Sequence, residues 1–347
     1  MMVDSNLSIL AEELDLQDMA GFTRKFVSDF SAAIESQIDL EEDTDWNGII
    51  CLGMGGSGAG GLFLKALSDD SGGLPFICWN DYNLPSWWGP DWLVLATSYS
   101  GNTEETLTGV REALSSGGTV IGISSGGELS KIIESNDNSI CLEVPSGQMP
   151  RSAFGHIFGT QLAVCWQLGL LTYPDQKQIS QMTNRLQKIS IKNDISNETS
   201  SAVALAKTLK EKEIGIISPK SLSPAAYRFS CQLNENSGRF GRQTELPEMN
   251  HNEIVAWSLE PTEKHALLIF SSQNLNERIN SRIEWLANQV EKPTKYIIEC
   301  EGETLLENLL FAAIFTDWTS IALALLMDKN PSEMTSIVSL KEFLNSS

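Results

Sequence analysis

Short apolar runs alternate with helix-like stretches along most of this chain of 347 residues. Five such runs lie in the first half, at residues 48–53, 75–79, 92–98, 119–124 and 139–144. Strands that alternate with helices build a parallel sheet covered by helices on both faces. The pattern restarts in the second half, at residues 213–217, 266–270 and 295–299. The sequence therefore predicts an α/β fold with two doubly wound parallel sheets.

The length of the chain exceeds that of one typical domain, for which ~150 residues is usual. We predict four segments: a helical arm at 1–45, a first α/β domain at 46–170, a helical linker at 171–210 and a second α/β domain with C-terminal helices at 211–347. The stretch 304–327 is apolar nearly all round, as expected of a helix buried between domains or subunits.

The charge of the chain restricts its partners. The formal net charge is −21, whereas nucleic acids and anionic membrane surfaces attract basic patches. We therefore expect a small substrate and neither of those partners. Uninterrupted apolar runs fall short of the ~20 residues that span a bilayer, and the N-terminus lacks the pattern of a secretory signal, so a cytoplasmic location is expected. The six cysteines form no CxxC pair, which favours reduced thiols without a metal.

The first strand runs into a glycine-rich loop, Gly53 to Gly58, that satisfies the GxGxxG pattern of dinucleotide-binding folds. Taken alone, this loop predicts a dehydrogenase, with Asp81 placed to meet a ribose. The glycines, however, continue through Gly60 and Gly61, so that several consecutive amides can turn towards one small ligand. A second anion-binding loop on the third strand also favours a smaller ligand than a dinucleotide.

That second loop carries three hydroxyls, on Ser98, Ser100 and Thr103, between an apolar strand and a helix. Gly101 permits a tight turn, and the start of the helix offers free N–H groups and the positive end of its dipole. An ordinary helix cap at Asn102 or Thr103 is the alternative, but a cap explains only one hydroxyl. The sequence therefore predicts a phosphate cradle at the carboxyl end of this strand.

Two motifs, SxSGxTxET in this loop and GMGGSGxGG after the first strand, resemble those of the sugar isomerase (SIS) domain. The resemblance implies two flavodoxin-like SIS subdomains. It also implies that Gly55, Gly56 and Ser57 line a sugar, while the three cradle hydroxyls hold its phosphate. In the second half, NEN at residues 234–236 and PExNHNE at 247–253 resemble signatures of archaeal-type bifunctional phosphoglucose/phosphomannose isomerases.

The PRxxxG motif at 150–155 and a lysine near the C-terminus complete this pattern. Aldose–ketose interconversion moves one proton between C1 and C2, and Glu235 is the candidate base. His251 suits ring opening, with Lys341 assisting, and Arg151 would face the charge of the enediolate. Each also has a structural alternative: a surface carboxylate, a helix-capping imidazole, a solvated lysine and a surface ion pair.

We therefore predict an isomerase that interconverts glucose 6-phosphate, and mannose 6-phosphate, with fructose 6-phosphate, without a metal or redox cofactor. The alternative is a non-catalytic sugar-phosphate-binding SIS regulatory protein, although no basic DNA-recognition helix accompanies the cradle. The resemblance also implies a homodimer in which His251 is donated across the interface. Two departures from the family pattern leave sugar selectivity open: Ser237-Gly238 replaces a lysine common in relatives, and His156 replaces a common tyrosine.

Overall fold

The computed structural model describes residues 6–37, 45–136, 138–259, 262–291 and 293–346. The chain forms two compact units. Unit A comprises Lys25–Gln187 and Gly302–Leu309, and unit B comprises Met1–Arg24, Lys188–Glu301 and Leu310–Ser347. Within the predicted arm, two helices form, α1 (Leu7–Leu14) and α2 (Met19–Ile34), while residues 1–5 and 38–44 lie outside the described residues.

Unit A contains a five-stranded parallel sheet in the order β2-β1-β3-β4-β5. Its strands are β1 (Gly48–Leu52), β2 (Phe76–Trp79), β3 (Trp92–Thr97), β4 (Val120–Ser124) and β5 (Ile140–Glu143). This is the flavodoxin-like doubly wound order, in which the chain reverses direction between β1 and β3. The loops that leave these two neighbouring strands therefore emerge side by side, at the edge where such sheets bind ligands.

Helices cover the sheet of unit A. They are α3 (Gly55–Ser71), α4 (Glu104–Ser115), α5 (Gly127–Glu134) and α6 (Phe154–Gln167). Helix α7 (Gln176–Asn193) follows them along the chain. One core contains packed aromatic rings: the ring of Phe154 stacks on that of Phe158, with centroids 5.4 Å apart, and meets the ring of Phe63 edge-on at 5.0 Å. All three side chains are fully buried, and each contributes on the order of 1.5–3 kcal/mol.

Unit B contains a four-stranded parallel sheet in the order β7-β6-β8-β9. Its strands are β6 (Glu213–Pro219), β7 (Gly241–Leu246), β8 (His265–Ser271) and β9 (Thr294–Glu299). The prediction of two doubly wound parallel sheets is confirmed. Strand β7 is missing from the sequence-based prediction because it is an edge strand of largely polar composition, without the apolar run that marks the others.

The helices of this half are α8 (Ser201–Leu209), α9 (Ser223–Gln232), α10 (Ile254–Leu259), α11 (Glu277–Gln289), α12 (Leu305–Leu326) and α13 (Thr335–Asn345). By length and composition, α12 is long and apolar enough to cross a membrane. This corrects the expectation, based on the length of uninterrupted apolar runs, that no segment is long enough to span a bilayer. In its most apolar 18-residue window, 94% of the residues are buried inside the chain. Its apolar surface therefore gives no argument for a partner subunit.

Candidate active site

The predicted phosphate cradle follows β3 and is folded back on itself. Ser98 is fully buried, and its Oγ lies 2.9 Å from Oγ1 of Thr103. The same Oγ accepts a hydrogen bond of 3.4 Å from the N–H of Thr103, and the N–H of Gly101 donates to the carbonyl of Ser98 at 2.9 Å. The fold of the loop therefore brings two of the three predicted hydroxyls together at the N-terminus of α4. Ser100 is exposed, and its Oγ accepts from the N–H of Asn102 at 3.3 Å.

Helix capping does not explain the hydroxyl of Thr103. Thr103 occupies the N-cap position of α4, yet its side chain makes no capping hydrogen bond. The side chain of Asn102 bonds to the backbone on both sides of it. Its Nδ2 donates to the carbonyl of Ser100 at 3.0 Å, and its Oδ1 accepts from the N–H of Glu128, in the first turn of α5, at 3.1 Å. These contacts weigh against the capping alternative and leave the hydroxyl of Thr103 directed at that of Ser98.

Position 101 requires a glycine for two reasons, its backbone conformation and the lack of space for a side chain. Its φ of +68° lies in the left-handed region, and a Cβ at this position would lie 1.8 Å from the carbonyl oxygen of Gly126. No other residue fits such an approach without moving the loop that follows β4. The cradle loop and the loop after β4 are therefore packed against each other.

The glycine loop after β1 contacts the cradle. Oγ of Ser57 accepts a hydrogen bond of 3.1 Å from the N–H of Tyr99. A Cβ at Gly56 would lie 2.9 Å from the backbone nitrogen of Arg151, so the chain of the PRxxxG motif passes directly over the loop. At Gly55, where α3 begins, a Cβ would meet no atom within 4 Å. Unit A therefore brings together the glycine loop, the cradle and Arg151.

Arg151 lies in the turn before α6 and is only 2% exposed. The alternative of a surface ion pair is therefore wrong for this residue. His156, one turn into α6, places Nε2 3.2 Å from Oδ2 of Asp29. That pairing is consistent with a structural role for His156.

Tyr99 is a part of the cradle that sequence reasoning missed. Its phenol is buried, donates to the carbonyl of Pro145 at 2.9 Å and accepts from the N–H of Gln148 at 3.0 Å. Burial raises the pKa of Tyr99, against the opposing effect of the Gln148 hydrogen bond. The residue ties the cradle to the segment that leads into Arg151. A large aromatic residue among small polar ones was the available signal.

Glu235 lies in unit B on a π-helical turn, Leu233–Ser237, which extends α9. The turn ends at Gly238, whose φ is +61°. Oγ of Ser237 closes the turn by donating to the carbonyl of Leu233 at 2.7 Å, and Nδ2 of Asn236 donates to Oγ of Ser320 on α12 at 2.9 Å. Turns of this kind are often found at functional sites. The half-buried carboxylate of Glu235 is thus held on an anchored, widened turn.

A buried charged pair lies on the helix that leads into this turn. Arg228 and Asp317 bond through two atoms each, at 2.5 Å and 3.0 Å, and Nε2 of Gln232 donates to Oδ1 of Asp317 at 2.6 Å. The carbonyl of Asp317 also accepts from Oγ of Ser320 at 2.9 Å. The pair therefore connects α9 and α12 close to the Asn236 contact, on its N-terminal side along both helices.

The side chain of Glu235 lines a cavity of ≈ 630 Å³ together with the first turn of α13. Lys329 lines the same cavity, and its Nζ lies 2.5 Å from where a Cβ on Gly238 would stand. The ammonium of Lys329 thus occupies the space beside Gly238. Sequence reasoning missed Lys329 because it lies far along the chain, after α12.

The other two predicted catalytic residues of this unit lie apart from that cavity. His251 is exposed at the end of a short 3₁₀ turn, Glu248–His251, and Lys341 is exposed in the middle of α13. Neither lines the Glu235 cavity. Glu253, the last residue of the PExNHNE motif, is buried and accepts from Nε1 of Trp257 at 2.9 Å, so it supports the segment structurally.

Across the described ranges, no group of three or more His, Cys, Asp or Glu side chains is arranged to hold a metal ion. The chemistry available at these positions is that of a carboxylate, ammonium and guanidinium groups, an imidazole, and the paired hydroxyls of Ser98 and Thr103.

Known proteins resemble this chain in sequence and fold. Residues 44–171 match the SIS domain family, and residues 198–344 match the bacterial phospho-glucose isomerase C-terminal SIS domain. A bifunctional phosphoglucose/phosphomannose isomerase from Aquifex aeolicus (strain VF5) is 30% identical over 324 residues, which are 92% of this chain and 97% of the relative. A D-glucosamine-6-phosphate 4-epimerase from Sulfolobus acidocaldarius is 29% identical over 299 residues, which are 85% of this chain and 88% of the relative.

Among solved structures, the C-terminal domain of glucosamine-fructose-6-phosphate aminotransferase from Francisella tularensis aligns with a TM-score of 0.71 at 14% identity. The alignment covers 91% of this chain and 98% of that domain, which shows a common fold. Together with the relative from Aquifex, which nearly the whole chain matches, the two domain matches confirm the family resemblance. The chain belongs to the family of bifunctional phosphoglucose/phosphomannose isomerases.

Proposed function

We propose that this protein interconverts glucose 6-phosphate and mannose 6-phosphate with fructose 6-phosphate through an enediol. The observation that carries this proposal is the pair of hydroxyls, on Ser98 and Thr103, held 2.9 Å apart at the start of α4. A phosphate placed there accepts from both hydroxyls, from that of Ser100 and from the first backbone amides of the helix. The helix dipole adds to this attraction in a chain that is otherwise strongly acidic.

The sugar would extend from the cradle along the glycine loop. The space beside Gly55 is open, and Gly56 and Ser57 carry no side chain large enough to fill it. The buried Arg151 passes over this loop, and its guanidinium would stabilise the negative charge of the enediolate. A buried cation is worth more for this purpose than a solvated one, because the local dielectric is lower.

Glu235 would carry the proton between C1 and C2. Its position on an anchored π-helical turn supports this role, since a base that serves two neighbouring carbons must be held in a fixed orientation. The ammonium of Lys329, which lines the same cavity, would contribute to binding an anionic substrate.

His251 would open and close the sugar ring, and Lys341 would assist. The proposal includes a homodimer in which His251 acts in the site of the partner subunit, and the exposure of its ring fits such a donation. Large apolar side chains are also exposed on the same unit, including Leu340 and Phe343 of α13 and Phe240, which is 91% exposed. Leu340 and Phe343 are neighbours on one face of α13, and adjoining exposed apolar side chains are the kind of surface that a partner chain covers.

The proposal includes a role in carbohydrate metabolism, in glycolysis and gluconeogenesis, and a cytoplasmic location. The named activity of the relatives, on phosphorylated hexoses, supports this placement. A dinucleotide ligand has less support, because Oδ1 of Asp81 already accepts from the N–H of Tyr82 at 2.7 Å and the carboxylate is thereby oriented within its own turn.

The test is a coupled assay of the purified full-length protein with fructose 6-phosphate, with and without a chelator. Run in heavy water, the reaction should place solvent deuterium on C1 or C2, since an enediol exchanges its proton. Glu235→Gln should abolish turnover while retaining the binding of fructose 6-phosphate. Glu284→Gln, on the exposed face of α11, is the matched control and should be fully active.

Two results would contradict the proposal. Binding of hexose 6-phosphates without any turnover would favour the regulatory alternative. Inversion at C4 of D-glucosamine 6-phosphate, without aldose–ketose interconversion, would instead assign the activity named for the relative from Sulfolobus.

A further inference from the structure

Two cysteines in the sheet of unit A face each other across neighbouring strands. Cys51 in β1 and Cys78 in the edge strand β2 are register partners. Neighbouring strands lie about 4.8 Å apart, and a disulfide needs two Cα atoms roughly 4.4–6.8 Å apart. The backbone of the sheet therefore already places these residues at a separation that a disulfide can bridge.

The two thiols also point to the same face of the sheet. Helix α3 lies on that face, and a Cβ at Gly61 would lie 2.8 Å from Cβ of Cys51. The same point is 3.4 Å from Sγ of Cys78 and 3.5 Å from Sγ of Cys51. A glycine at this position leaves the space in which both sulfur atoms lie together.

The environment gives the two thiols different chemistry. A hydrogen bond from the Cys51 thiol lowers the pKa of Cys78 against the opposing effect of burial. The positive charge of Lys65 also lowers this pKa, and the negative charge of Asp69, which pairs with Lys65, opposes it. The same hydrogen bond, followed by burial, raises the pKa of Cys51. Cys51 is buried, whereas Cys78 is only half-buried on the edge of the sheet. Cys78 is therefore the thiol with the lower pKa and the more exposed residue of the two.

We propose that Cys51 and Cys78 form a modification site, a dithiol that a peroxide converts into an intramolecular disulfide. The thiolate of Cys78 attacks one peroxide oxygen and breaks the O–O bond. With hydrogen peroxide, this gives the sulfenic acid of Cys78 and hydroxide, which is protonated to water. The sulfur of Cys51 then attacks Sγ of Cys78 and displaces the hydroxyl group, which leaves as a second water with the proton of Cys51. The two thiols lose two electrons, and the peroxide gains them.

The chain supplies a matched control in Cys141. Cys141 is also half-buried and also lies on an edge strand, β5, but its register partner on β4 is Gly122. Burial raises the pKa of Cys141, and Ser130 bonds to its thiol. This cysteine has a comparable position in the sheet without a second thiol opposite. The fully buried Cys165, near Cys51, has its pKa raised by burial and stays protonated.

The test is exposure of the full-length protein to hydrogen peroxide, followed by alkylation under denaturing conditions and mass spectrometry of its peptides. We expect a cross-linked peptide pair containing Cys51 and Cys78, reversed by a thiol reductant, with Cys141 alkylated as before. Cys78→Ala should remove the cross-link, and in Cys51→Ala a dimedone adduct should accumulate on Cys78. Oxidation of Cys141 to the same extent as Cys78, or linkage only between different chains, would overturn the proposal.

A second measurement covers the case in which Cys51→Ala does not fold. Phenylarsine oxide binds two neighbouring thiols, and one equivalent should bind the wild-type protein and Cys141→Ala but not Cys78→Ala. Equal binding to Cys78→Ala would contradict the site. Neither readout depends on catalytic activity, so the outcome is independent of the proposed isomerase function.

Discussion

Nδ2 of Asn236 donates a hydrogen bond of 2.9 Å to Oγ of Ser320, which ties the turn that carries Glu235 to helix α12. Ser320 is fully buried, so the bond is made away from solvent. The second asparagine of the NEN motif thus has a structural role, because it holds the proposed base against a rigid helix.

We predict that Ser320→Ala lowers kcat for fructose 6-phosphate by about tenfold, with little change in KM, because the loss affects orientation of the base more than binding of the phosphate. Steady-state kinetics measure both values. Thr319→Val is the control, since Oγ1 of Thr319 bonds within α12 to the carbonyl of Phe315. An equal loss in both variants would show a general effect on α12.

The cradle hydroxyls should determine affinity. Ser98→Ala and Thr103→Val each remove one hydrogen bond to a charged group, worth about 1.5–3 kcal/mol, which corresponds to roughly 10–100-fold in Kd. Calorimetric titration with fructose 6-phosphate measures the change. Ser115→Ala, at the far end of α4, should bind as the wild type does. Unchanged affinity in both cradle variants would place the phosphate elsewhere.

Gly101 should be far less tolerant of substitution than another glycine of similar backbone angle. Gly101→Ala combines a left-handed φ with the collision against Gly126, and we expect a destabilisation of about 3 kcal/mol or more. Gly117 has a φ of +77° but nothing within 4 Å of a Cβ, so Gly117→Ala should cost only about 1–2 kcal/mol. Chemical denaturation gives both values, and equal losses would mean that the loop after β4 moves freely.

Lys329 should contribute to turnover although it lies outside the recognised motifs. We predict that Lys329→Gln lowers kcat/KM by about tenfold, because an ammonium that lines the cavity of Glu235 is lost. Lys329→Arg should retain more activity than Lys329→Gln. Lys207→Gln, on α8, controls for the change in net charge, and equal activity of all three variants would assign Lys329 to the surface.

Mixed dimers test whether His251 of one subunit acts in the active site of the other. Glu235→Gln and His251→Ala should each be inactive alone. Mixed dimers would contain one site with both substitutions and one intact site, so about a quarter of the wild-type activity should return after random exchange of subunits. Activity that stays at the level of the separate variants, in a mixture shown to exchange, would mean that both residues act within one subunit.

The sequence was sufficient to predict the α/β class and, within the described residues, eight of the nine strands. It also predicted that the loop with Ser98, Ser100 and Thr103 lies between a strand and a helix. These features depend on local patterns: an apolar run, a glycine at a turn, hydroxyls at a helix start. Strand β7 was missed because an edge strand needs no apolar run. Ser320, Lys329 and Tyr99 were missed because their contacts with the motifs depend on tertiary packing, which residue spacing does not encode.

The π-helical turn at Leu233–Ser237 has a consequence for how members of this family are compared. Such a turn holds one residue more than a regular helical turn, and loss of that residue would rotate every later side chain by about 100° around the axis. A relative could then keep the letters of the NEN motif and still aim its carboxylate away from the substrate. To distinguish active isomerases from inactive homologues by sequence, the number of residues in this turn is therefore as informative as their identity.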